Sequence, residues 1–131
     1  MADRFTISTT LEATPRRVYT AWMSSKDHSA FTGDTAKIAA RVGGAHSEFS
    51  GYITGKTLEL EPYRRIVQSW RTTEFPDGSP DSRLELILED RKGKTRLTLI
   101  HSGIPDGQGP EYNQGWKDNY FVPMAAYFKA E

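Results

Sequence analysis

Hydrophobic and polar positions alternate in three successive runs, RRIVQSW, SRLELILED and TRLTLIHS, between residues 64 and 102. In the second run Leu84, Leu86 and Leu88 alternate with Glu85, Ile87 and Glu89. In the third, Leu97 and Leu99 alternate with Arg96, Thr98 and Ile100. A two-residue period predicts strands with one buried and one wetter face. The segments FPDGSPD and RKGK supply the turns between them. Beyond Pro110 the period changes. Tyr112, Trp116, Tyr120, Pro123/Met124 and Tyr127 recur at i, i+4, which predicts a long helix whose aromatic stripe needs an apolar partner. A curved antiparallel sheet wrapped around that helix provides one, and such an arrangement leaves room for a cavity between sheet and helix.

The first half of the chain reads in the same way. RFTISTTLEA is a strand with Phe5, Ile7, Thr9 and Leu11 on one face. Thr14-Pro15 starts a helix, with Thr as N-cap and Pro where its missing N–H costs nothing. That helix, PRRVYTAWM, carries Val18 and Trp22 on one stripe. A second short helix, SSKDHSAFT, ends near Gly33 and is capped by Ser24 or Ser25. DTAKIAAR, AHSEF and YITGKTLELE follow as strands, separated by turns at Val42-Gly43-Gly44 and Ser50-Gly51. Gly55 is expected at a bulge or bend. Glu61-Pro62-Tyr63 turns the chain into the strand that ends near Thr72, and SGIPDGQGP is the loop into the last helix. The predicted order is β-α-α-β-β-β-β-β-β-α. Pro123 either kinks the last helix or marks its restart after Phe121.

Composition narrows the chemistry. The 131 residues contain no cysteine, which excludes thiol catalysis, zinc–thiolate sites and disulfides. The length fits a single domain over residues 1–131. Seventeen Lys and Arg balance seventeen Asp and Glu, so no field steers the protein to nucleic acid or an anionic membrane. The segment MADRFTIST has no long apolar stretch, so the expectation is a soluble cytoplasmic protein without signal peptide or spanning helix.

His101 continues the parity of Leu97 and Leu99 and should face inward. There it could bind a ligand or move a proton. The more ordinary role is a strand-end histidine, hydrogen-bonded to backbone or near the mouth of a cavity. His28 and His46 lie on separate elements without ligand spacing, so no metal and no cofactor are expected. Glu48 and Glu85 are single acids, no Gly-x-Ser-x-Gly elbow occurs, and Gly43-Gly44 lacks the Lys-Ser/Thr of a phosphate loop. Strand parity gives the expected cavity lining as Trp70, Leu84, Leu86, Leu88, Leu97, Leu99, Trp116, Tyr120 and Met124, with Gln68 and His101 as its polar groups. An apolar wall with few polar anchors suits a small hydrophobic ligand. Trp22, Trp70 and Trp116 are all expected to be buried.

The run WRTTEFPDGSPDSRLELILEDRKGKTRLTLIHSGIP followed by QGWKDNYF resembles the activator-of-HSP-90-ATPase homologue family, HSP-90 being the ninety-kilodalton heat-shock chaperone. TPRRVYTAW, Gly43-Gly44, the Pro62-to-Trp70 strand and Gly115-Trp116 extend the resemblance over nearly the whole chain. The family belongs to the START-like, helix-grip superfamily, with birch-pollen allergens, polyketide cyclases and lipid-transfer domains. The resemblance implies an α+β helix-grip fold: six to seven antiparallel strands around a long C-terminal helix, with two short N-terminal helices. It also implies a non-catalytic chaperone- or stress-linked protein that meets an HSP-90-type chaperone through its surface, as a monomer or weak homodimer. The eukaryotic activator has a further N-terminal domain with an Asn/Trp-rich segment that contributes to chaperone contact and ATPase stimulation. This sequence starts directly at the helix-grip domain. Two alternatives use the cavity instead: a carrier or sensor of a small hydrophobic ligand, and a cyclase- or hydrolase-like enzyme with His101 as acid/base. Fold alone does not choose among them.

Overall fold

In the computed structural model, which describes residues 2–131, the alternating runs become the strands that their period predicts. The elements in chain order are β1 (Asp3–Leu11), α1 (Pro15–Trp22), α2 (Ser25–Thr32), β2 (Lys37–Ile38), β3 (Ala45–Glu48), β4 (Ile53–Glu61), β5 (Arg65–Thr72), β6 (Ser82–Arg91) and β7 (Lys94–Ile104). The last helix follows as α3 (Gly109–Trp116), a π turn (Lys117–Phe121) and α4 (Val122–Lys129). The seven strands form one antiparallel sheet in the order β1-β7-β6-β5-β4-β3-β2. This is the α+β helix-grip arrangement expected from the sequence. Among the described residues no helix is long and apolar enough to cross a membrane.

Local chemistry sets the boundaries. Thr14 Oγ1 accepts the Arg17 N–H at 3.2 Å, with Pro15 at the first turn. Ser24 caps α2 through the Asp27 N–H, and Gly33 ends it at φ 76°. Ser25 does not cap the helix. Its hydroxyl accepts the Ile38 N–H at 2.8 Å and ties α2 to β2. β6 and β7 are joined by Lys92-Gly93, both at positive φ, and the Gly93 N–H donates to Asp90 Oδ1. Two such residues make the turn whose twist matches a hairpin. Asp3 joins the first strand to the last helix. Its Oδ2 accepts the N–H groups of Gly107 (2.9 Å) and Gly109 (2.8 Å), placing a negative charge at the start of α3.

The inner face of the sheet follows the parity expected. Leu84 lies opposite His101, Leu86 opposite Leu99 and Leu88 opposite Leu97, and all six are buried. Trp22, Trp70 and Trp116 are each 3% exposed. Trp116 stacks between the other two, with ring centroids 6.2 Å from Trp22 and 5.7 Å from Trp70. Three rings from helix, sheet and helix thus share one core.

Two local expectations change. The irregularity in β4 falls between Thr57 and Glu59, not at Gly55. Gly55 serves a different purpose: a Cβ there would lie 1.9 Å from the Ser69 carbonyl oxygen and 2.5 Å from His46 Nε2. The imidazole crosses over this glycine to reach β5. In the last helix, the break expected near Pro123 is a π turn, after which α bonding resumes at Val122. The Val122 N–H bonds to the Lys117 carbonyl, five residues back, and the dihedral angles stay helical. The buried residues Tyr112, Trp116, Tyr120, Met124 and Phe128 repeat every four positions. In an ideal α-helix each such step overshoots by about 40°, so the stripe would rotate off the sheet. The wider π turn takes back part of that rotation. It also explains why Phe128, rather than Tyr127, ends the buried stripe.

Candidate functional site

Packing between sheet and helix differs along its length. At one end, Leu86, Leu88, Leu97, Leu99, Met124 and Phe128 interlock in the core. At the other, where β4 begins and α3 passes over β5, a half-open cavity of about 320 Å³ remains. It is lined by Phe49, Tyr52, Ile53, Trp70, Glu111, Tyr112, Gly115, Trp116, Asn119 and Tyr120. Six of these ten residues are aromatic, and none carries a positive charge.

Two devices keep this space open. Glu111, Gly115 and Asn119 form a second i, i+4 row on the helix, one position before the aromatic row of Tyr112, Trp116 and Tyr120. The middle member has no side chain. A Cβ at Gly115 would meet nothing nearer than Asn119 Nδ2 at 3.8 Å, so the missing side chain is part of the cavity. The second device is the turn at Phe49–Gly51, where Phe49 and Ser50 take φ of 51° and 57°. Positive φ is rare for so bulky a residue. It is held by Ser50 on both sides: its N–H donates to the Thr35 carbonyl at 3.0 Å and its hydroxyl to Asp34 Oδ1 at 2.6 Å. The turn sets the Phe49 ring edge-on to Tyr120, with centroids 5.9 Å apart.

Behind the rings lies a buried layer of polar groups. His101 is fully buried. Its Nδ1 accepts the Trp116 indole N–H at 3.1 Å, and its Nε2–H donates to Ser82 Oγ at 2.8 Å. Ser82 in turn donates to the Trp70 carbonyl at 2.6 Å. This chain fixes one neutral tautomer, and burial takes the imidazole pKa down to about 3. Both nitrogens are occupied, and His101 does not border the cavity, so it is poorly placed to exchange a proton with a ligand there. His28 is neutral for the same reason. Its Nδ1–H donates to the Trp22 carbonyl at 2.8 Å, its Nε2 accepts the Tyr120 hydroxyl at 2.9 Å, and burial lowers its pKa against the pull of the Glu48 charge.

His46 is the opposite case. Nδ1 faces the Glu48 carboxylate at 2.9 Å and Nε2 faces the Ser69 carbonyl at 2.8 Å, so both nitrogens must donate. Burial alone would lower its pKa, but the hydrogen bond and charge of Glu48 outweigh it, and the pKa is raised. The result is an imidazolium–carboxylate pair with both residues only 3% exposed. Gln68 completes the layer. It accepts the Trp22 indole N–H at 3.2 Å and donates to Thr57 Oγ1 at 3.1 Å.

Of the residues expected from parity to line a cavity, Trp70, Trp116 and Tyr120 border it. Leu84, Leu86, Leu88, Leu97, Leu99, Met124, Gln68 and His101 lie buried in the packed interior instead. Parity correctly turns them inward, but inward-facing residues fill the core before they line a space. Phe49, Tyr52, Ile53, Glu111, Gly115 and Asn119 were not anticipated there. The signal for three of them was the row at 111, 115 and 119.

A human relative, activator of 90 kDa heat shock protein ATPase homolog 1, is 29% identical over 125 residues. The alignment covers 95% of this chain, and the chain spans only 37% of that relative's length. Among solved structures, an HSP90 activator from Plasmodium falciparum superposes with a TM-score of 0.88 at 22% identity, covering 95% of this chain and 94% of that one. The protein CV1439 from Chromobacterium violaceum superposes with a TM-score of 0.76 at 28% identity, covering 95% and 96%. The match to the family described as activator of Hsp90 ATPase homolog 1-like protein runs over residues 12–129, from the end of β1 through the last helix, and this chain belongs to that family.

Proposed function

We propose that this domain is a non-catalytic, chaperone-linked cytoplasmic protein that docks on an HSP-90-type chaperone through its outer surface and modulates its ATPase. The observation that carries this reading is the family match over residues 12–129, which takes in β2 to β7 and all the helices. It is supported by the interior, where His28, His46 and His101 all have both ring nitrogens engaged by protein partners. No imidazole is left over for acid/base chemistry. The test is direct. The purified domain is titrated against the HSP-90 homologue of its own organism, with binding followed by calorimetry and turnover by phosphate release. Micromolar binding together with a changed ATPase rate is expected. No binding at a hundred micromolar would sink the proposal.

The cavity favours a second reading, in which the domain holds a small hydrophobic molecule between sheet and helix. About 320 Å³ of aromatic-walled space falls at the lower end of small-molecule sites. An environment-sensitive fluorophore should bind the native protein, and Gly115→Leu should abolish that binding while the domain stays folded. Equal binding by wild type and variant would place the probe elsewhere.

A further inference from the structure

We propose that the cavity selects small organic cations of the quaternary or methylated ammonium type over neutral and anionic molecules of the same shape. This rests on the second reading above, that the cavity holds a ligand at all, and it narrows the ligand's chemistry.

No Lys, Arg or His borders the cavity, while the Glu111 carboxylate stands at its rim. A fatty-acid or phosphate head would meet a carboxylate and no compensating base. The walls point the same way. An aromatic ring presents a negative face, and a cation held among several rings is attracted to their quadrupoles. The hydroxyls of the three tyrosines in the wall all donate. Tyr52 gives its proton to the Glu74 carboxylate, Tyr112 to Gln108 Oε1 at 2.7 Å, and Tyr120 to His28 Nε2 at 2.9 Å. A phenol that donates its proton has a more electron-rich ring, so the bonds of Tyr52 and Tyr120 strengthen their rings' hold on a cation, whereas the Tyr112 hydroxyl also accepts the Thr72 proton at 2.7 Å, which offsets its gain. The Tyr52–Glu74 bond also sets a second carboxylate behind the wall.

The remaining polar groups supply no unpaired positive charge to anchor an anion. Asn119 is the one neutral polar side chain on the rim that is not part of an aromatic residue. The buried His46 charge is already paired with Glu48. Size agrees as well: a trimethylammonium head with a short tail fits within about 320 Å³. The bare helix at Gly115 gives the head direct access between the Glu111 and Asn119 side chains.

The experiment compares three soluble probes that differ in charge and little in shape: choline, 3,3-dimethylbutan-1-ol and 3,3-dimethylbutanoate. Binding is followed by Trp fluorescence and by amide shifts around residues 111–120. Choline should bind at least about threefold more tightly than the neutral alcohol, and the anion most weakly. Glu111→Gln should weaken choline by roughly two- to fivefold and leave the alcohol unchanged. Gly115→Leu should remove both. If the alcohol binds as well as choline, or the anion binds best, selection for cations is wrong and the cavity remains a general apolar site. The same conclusion follows if Glu111→Gln affects all three probes equally. If neither these probes nor the fluorophore shifts any signal, both the cation proposal and the ligand reading fail together.

Discussion

The two ends of the sheet–helix interface use the same secondary structure and pack differently. At the aliphatic end, branched and flexible side chains such as Leu86, Leu99 and Met124 interlock to leave at most 1% of each exposed. At the aromatic end, flat rings meet edge to face or tilted, as Trp70 does with Tyr112 at 5.0 Å and Trp116 does with Tyr120 at 4.7 Å. Rings keep their planes, so where one helix position lacks a side chain they cannot fold into the gap. Both ends contribute to the core, but the aliphatic end closes completely while the aromatic end leaves space that shapes a site.

Substitution tests this difference, starting with the residue at the centre of the aromatic cluster. Trp116→Ala removes the ring between Trp22 and Trp70 and leaves His101 Nδ1 without its donor. A loss of about 3–5 kcal/mol is expected in equilibrium urea unfolding. Leu86→Ala, in the aliphatic end, should cost about 2–5 kcal/mol by the same measurement. A loss under about 1 kcal/mol at Leu86 would mean that the closed end is not close-packed.

Acid should act mainly through the neutral histidines. The folded pKa of His101 lies at about 3, below its ordinary value of 6.5, and that of His28 is lowered too. Below pH 6.5 the unfolded chain therefore binds protons that the folded chain refuses, and stability falls as pH drops toward the folded pKa values. The raised pKa of His46 works the other way: its contribution is fully present below pH 6.5 and is lost as pH rises through its folded value. Between pH 7.5 and 5, the His101 contribution to the loss should be roughly 2 kcal/mol. The change in unfolding free energy from pH 7.5 to 5, measured by urea titration, should differ between wild type and His101→Gln by about 2 kcal/mol. Identical changes would contradict the locked neutral tautomer.

At the open end the sign of the effect should reverse. Gly115→Ala adds a methyl group to free space on a helix and should raise stability by about 0.5–1 kcal/mol. A destabilisation would show that the gap is collapsed in solution. Glu111→Gln, on the exposed rim, should move stability by less than about 0.5 kcal/mol.

Much of the fold was legible because the sequence encodes it locally. The alternation of Leu84, Leu86 and Leu88 fixes a strand face, and Thr14-Pro15 fixes a helix start. The site was less legible because a cavity is defined by side chains that fail to meet, which no single period records. Leu97 and Leu99 have the same parity as His101, yet parity does not say which inward residues close on one another. The His46–Glu48 pair was readable in principle, since residues two apart on a strand share a face. What the sequence does not reveal is that both are sealed from water and that Gly55 lets the imidazole reach the next strand. The π turn was hidden for a similar reason. Pro123 announces a break, but only the four-residue spacing of the buried stripe against the sheet decides its form.

The contacts of Asp3 bear on the order in which the chain assembles. β1 pairs with β7, and Asp3 holds the start of the last helix, so the opening strand takes its place only against segments about a hundred residues later. Hairpins β5–β6 and β6–β7 can form as they emerge from the ribosome, whereas β1 must wait with its edge unpaired. Such long-range closure slows folding and leaves a sticky strand exposed in the meantime. In pulse-labelled hydrogen exchange during refolding, the amides of Phe5 to Leu11 should gain protection after those of Leu84 to Leu88. The opening strand of the sheet is then shielded after the strands it depends on, which gives the domain its own interval of vulnerability while it folds.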